Sequence, residues 1–206
     1  MRLLSNIISG MFHPLLMVTY GLILAFTFTY LVIYPPTIKL LLVGGTFLST
    51  AVIPGAFLFL MVKTGAAGDM DLTNRRERFF PYLIFISSVM VCAFYMIKMM
   101  IPFWFIALLL GVCVALILAS VINFFWKISA HMIGIGGLLG GIMGVAHTHV
   151  MNPYVFFILM FIISGLVGTS RIFLKKHTPM QVYAGFLLGF GCTFVASILS
   201  LLYLFI

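Results

Sequence analysis

Residues 82–125 read "YLIFISSVMVCAFYMIKMMIPFWFIALLLGVCVALILASVINFF" and carry a single charged side chain, Lys98. A helix rises roughly 1.5 Å per residue, so about 20 apolar residues span the hydrocarbon core of a bilayer. The stretch is twice that length. Pro102, within "MMIPF", marks either a tight turn between two spans or a kink in one long irregular helix, and the length selects the turn. The same requirement applied along the chain gives windows near 15–33, 38–62, 82–100, 102–125, 130–149, 153–170 and 179–205.

Composition agrees with that reading. The chain is 64% hydrophobic and 7% charged, with a mean hydropathy of +1.30 over 206 residues, which excludes a soluble domain. A transmembrane barrel would show strands of about ten residues with alternating polarity, a pattern absent here. The expected fold is therefore all-α: one polytopic transmembrane helical bundle of six to seven spans, covering residues 1–206. Arg2 and His13 flank the first span, and no small-residue cleavage pattern follows it, so it reads as a retained helix. Cys92, Cys113 and Cys192 lie inside apolar spans without metal-ligand spacing and read as small core residues. In "GIGGLLGGIMG", residues 134–144, the pairs Gly136/Gly140, Gly137/Gly141 and Gly140/Gly144 stand four apart, the spacing that lets a neighbouring helix approach closely. No Gly-x-Gly-x-x-Gly or Walker-type lysine accompanies them, which removes the usual nucleotide loops.

Charge carries the functional information, because an ionisable residue in or beside a span is costly unless it reaches the interface, a partner or a wet cavity. The polar stretches at 63–82, 126–131 and 170–177 are separated by two crossings each, so they share one membrane face. With Arg2, that face holds Lys63, Arg75, Arg76, Arg78, Lys127, Arg171, Lys175 and Lys176, against Lys39 and Lys98 on the other. Two explanations compete: the positive-inside rule, which makes this the cytoplasmic face, and a pocket of positive potential suited to phosphate.

Local signals favour the pocket. Ser129 stands where it can cap the helix that carries His131 in its first turn, and Thr178-Pro179-Met180-Gln181 reads as cap, first-position proline and capping-box residue, with His177 just before it. Two helix N-termini, each with a histidine, thus face the same side, and helix N-termini bind phosphate through unpaired N–H groups and the positive dipole end. Asp69, Asp71 and Glu77 are the only acidic residues, too few for the usual divalent-metal cage, so the expected mechanism is metal-free and needs no cofactor. His13, and His147 with His149 on the opposite face, read as interfacial anchors.

These residues resemble the type 2 phosphatidic acid phosphatase superfamily of integral-membrane lipid phosphatases. Ser170, Arg171, His177 and Gln181 stand at the spacing of its third motif, Ser-Arg-x5-His-x3-Asp. "ISAH", residues 128–131, is similar to its second motif, Pro-Ser-Gly-His, and keeps Ser129 and His131. "DLTNRRERFFP" supplies Arg75, Arg76, Arg78 and Pro81 for the first motif, Lys-x6-Arg-Pro, with Asp71 where the lysine would stand. The resemblance covers about residues 63–195. It implies His177 as nucleophile, forming a phosphohistidine, and His131 as the group that protonates the leaving oxygen and then activates water. Arg171, with Arg78 or Arg76, Ser170, Ser129 and Lys127, would hold the phosphate, and Gln181 would orient His177 or close the capping box. The implied partners are the bilayer and a membrane lipid phosphate, not nucleic acid, in a bacterial inner membrane, where members of this family commonly work on the outer face. Two alternatives stay open: a lipid-phosphate binder or transporter that lost efficient chemistry, and a phosphotransferase with the same residues and a different acceptor.

Overall fold

The computed structural model describes residues 1–72, 74–149 and 153–202. Among these residues the regular structure is helical, without strands, and seven segments are long and apolar enough to cross a membrane. The chain is an all-α polytopic bundle. In chain order its helices are α1 (Arg2–Met11), α2 (Met17–Phe28), α3 (Pro36–Phe47), α4 (Ile53–Lys63), α5 (Phe79–Lys98), α6 (Phe103–Phe125), α7 (Ala130–Thr148), α8 (Tyr154–Phe173) and α9 (Pro179–Leu202). The expected end of the last span, 203–205, lies outside the described residues.

The sequence around Pro102 resolves into a turn for a local reason. Met100 adopts φ 55°, the Ile101 N–H reaches the Met96 carbonyl at 3.0 Å and the Met100 N–H reaches Ile97 at 3.1 Å, a Schellman ending, and Pro102 then starts α6. The first span differs from its window. It begins with α1, bends through a 3-10 turn at Pro14–Leu16 and continues as α2, because Pro14 offers no N–H to an unbroken ladder. α1 turns its polar side inward, burying Ser5 and Ser9, and leaves Leu3, Leu4, Ile7 and Met11 exposed. α3 and α4 join through a π-helical segment, Leu48–Val52, just before Pro54. A regular turn there would drive the proline ring into the Thr50 carbonyl, and the wider turn relieves this.

Lipid is as apolar as leucine, so helices in a bilayer associate through close packing and not through escape from water. α7 and α9 show this most fully. They run parallel, and a Cβ added at Gly140 would meet the Phe190 Cα at 2.7 Å, one at Gly144 would meet the Ser197 Cβ at 2.5 Å, and one at Gly185 would meet the Ser129 carbonyl at 2.7 Å. The glycine spacing is thus a helix-packing face. Thr193 donates to the Gly137 carbonyl at 2.8 Å across the same interface. Because the two helices are parallel, their N-termini lie side by side at one membrane face.

Candidate functional site

The α8–α9 connection builds half of the site. α8 ends in a second Schellman turn: Lys175 takes φ 55°, and the Lys176 N–H returns to the Arg171 carbonyl at 3.1 Å. This folds His177 back over Arg171, and both are buried, at 7% and 2% exposure, as is Ser170. α9 then starts at Pro179, and Gln181 Oε1 accepts from the Thr178 backbone N–H at 3.3 Å while lying 3.1 Å from His177 Nδ1. The two roles considered for Gln181 are therefore compatible. With Nδ1–H donating to the amide, Nε2 of His177 keeps its lone pair.

The start of α7 supplies the other half. Ser129 occupies the N-cap position, yet its hydroxyl makes no capping bond; it is buried without a partner, while its N–H donates to the Gln181 carbonyl at 3.3 Å. That hydrogen bond sets the first turn of α7, which carries His131, against the first turn of α9. His131 Nε2 is 3.2 Å from the Ser9 carbonyl of α1, and its ring meets that of His13 edge-on at 5.3 Å between centroids. His13 is thus part of the site's wall and more than an interfacial anchor. His149 instead packs beside Tyr30 and Trp104 at the far face.

Among the arginines before α5, Arg78 is buried and Arg76 is exposed. Arg78 donates through Nε to the Leu72 carbonyl at 2.9 Å and through Nη1 to Ile128 O and Asn123 Oδ1, which bridges the 63–78 loop to the strand of chain entering α7. Arg75 turns away to the Phe125 carbonyl. Lys127 donates to the Lys176 carbonyl at 2.9 Å. Its burial and the nearby Arg78, Lys176 and Arg171 charges lower its pKa.

Asp71 is the residue whose place in the site the sequence reading missed. Its Oδ1 accepts from Arg171 Nη2 at 3.1 Å and its Oδ2 lies 3.2 Å from Lys176 Nζ, which also pairs with Asp69 at 3.0 Å. Burial alone would raise the Asp71 pKa, but Arg171 and Lys176 outweigh it and hold the carboxyl below its ordinary value. Arg171 Nε remains buried without a partner. The His177 pKa is pushed down to about 3, first by burial and then by Arg78, Lys127 and Arg171, with the Gln181 hydrogen bond offsetting only part. His177 is neutral at ordinary pH. The site thus combines a neutral, oriented imidazole with a positive surround, an unbonded hydroxyl and two helix N-termini.

An apolar cavity of about 160 Å³ opens beside this cluster, lined at that end by His13, Asp71 and His131. Among the described residues no group of three or more His, Cys, Asp or Glu side chains is placed to hold a metal ion. Compared with known proteins, the chain matches no family model, no curated protein and no solved structure.

Proposed function

We propose that the protein is a membrane phosphatase that hydrolyses a lipid phosphate or pyrophosphate through a phosphohistidine, without a metal ion. One observation carries the reading: His177 is buried, neutral and oriented by Gln181 within the cationic group of Arg171, Arg78 and Lys127. In the first step His177 Nε2 bonds to phosphorus as the bond from phosphorus to the lipid oxygen breaks, and His131 supplies the proton that the leaving oxygen takes. In the second, His131 takes a proton from water, whose oxygen displaces the imidazole and releases inorganic phosphate. Arg171 and Arg78, with the Ser129 hydroxyl, face the three equatorial oxygens over which charge spreads during transfer. Two contacts must yield first. Phosphate at Arg171 displaces the Asp71 carboxylate, and proton delivery from His131 Nε2 requires release of the Ser9 carbonyl.

Those same contacts favour a second reading, a lipid-phosphate binder or transporter with weak chemistry, because Asp71 stands on the arginine that the phosphate needs. The experiment that separates them is phosphate release from a panel of lipid phosphates in EDTA, with acid-labile, base-stable labelling of the protein from a radiolabelled substrate. Hydrolysis is expected in wild type, no label in His177→Ala, and slow labelling in His131→Ala. Saturable substrate binding with neither phosphate release nor label supports the binder and overturns the phosphatase.

A further inference from the structure

The cavity beside His131 continues far below the head of the site. Its wall on α7 begins at Ala130 and ends at Ala146, sixteen residue steps or about 24 Å. α2 lines it from Met17 to Phe28 and α6 from Leu116 back to Trp104, so three helices bound it together over about 17 Å. One leaflet of hydrocarbon is about 15 Å deep, and the cavity exceeds it. Leu24, Phe105, Leu109, Val112, Leu138 and Val145 are typical of its walls, whereas His13, Asp71 and His131 collect at the basic end. At about 160 Å³ over that length, it is too narrow for two hydrocarbon chains side by side.

A glycine on the wall points the same way. Gly137, Gly140 and Gly144 face α9, but a Cβ at Gly21 would meet only Leu138 Cδ1 at 3.5 Å. An ordinary side chain fits there. What Gly21 preserves is open space along the bore.

We propose that this cavity binds the single hydrocarbon chain of a lipid phosphate, an acyl or prenyl chain drawn out of the bilayer into the bundle with its polar head at His131. The head group rests on the phosphatase reading; the chain site does not. Trp104 at the far end gives a direct readout. In purified protein carrying Trp126→Phe, alkyl phosphates brominated at the chain terminus are titrated from octyl to hexadecyl while Trp104 fluorescence is followed. Quenching is expected to be saturable, several-fold stronger for hexadecyl than for octyl, and lost in Gly21→Phe, which fills the bore. Equal quenching at every length, or quenching unchanged by Gly21→Phe, overturns the proposal. If Gly21→Phe does not fold, Val112→Phe replaces it, and the length dependence in the parent protein decides by itself. Brominated hexadecanol separates the two readings: quenching equal to that of the phosphate keeps the chain site and removes the phosphate head.

Discussion

At Asp71 a carboxylate sits against the most deeply buried arginine of the site, so its removal leaves Arg171 short of a counter-charge. Asp71→Asn is expected to lower stability by about 1–3 kcal/mol, less than for a fully buried pair because Asp71 keeps a third of its side chain exposed. Inorganic phosphate or vanadate should restore that loss and raise the melting temperature of the variant more than that of wild type; an equal response in both would show that Arg171 is no anion site. His177 makes a second prediction. Its folded pKa lies below the unfolded value, so between about pH 6.5 and 3 the unfolded chain takes up the proton first and stability falls as pH falls. Acid titration of unfolding should therefore be shallower in His177→Gln than in wild type across that window, by up to about 1.4 kcal/mol per pH unit. The grouping of Arg171, His177 and Gln181 was legible because all three belong to one helix boundary, where spacing translates directly into geometry. Asp71 on Arg171 and Ser9 on His131 were not, since each joins segments about a hundred residues apart and the second uses a backbone carbonyl, which no side-chain pattern announces.

The helices carry the site through their contacts, and α7 with α9 is the pair that matters most. Adding a methyl at Gly189 would drive it into the Ile133 backbone, whereas one at Gly191, half a turn further on, meets nothing within 4 Å. Gly189→Ala should destabilise by about 1–3 kcal/mol and lower activity or anion binding by separating His131 from His177. Gly191→Ala should be neutral or stabilising by roughly 0.5–1 kcal/mol, as alanine holds a helix better than glycine. Reversible unfolding in mixed micelles checks both, and equal effects would remove the packing argument. The glycine tract itself was readable as a packing face, and the Pro102 turn followed from length. The separate helix α1 escaped the hydropathy windows because its polar serines face inward and dilute the apolar signal.

At the scale of the whole molecule, the seven spans among the described residues place the loop at 63–78 and the turn at 34–36 on opposite sides of the membrane. Thr64→Cys and Thr37→Cys, both at exposed positions, should consequently react from opposite sides with a membrane-impermeant maleimide on intact cells and inverted vesicles. Labelling of both from one side would require an even number of crossings between them. The same topology has a consequence for how the protein is made. Helices enter the bilayer in order and associate afterwards. α7 leaves the ribosome two crossings ahead of α9, with Gly136, Gly140 and Gly144 bare to lipid and Ser129 lacking the Gln181 carbonyl. α8 cannot substitute, since it runs antiparallel and presents its Arg171 end only after crossing back. The starts of α7 and α9 thus come together only when the last helix docks, and a chain still in synthesis carries these segments without their packing.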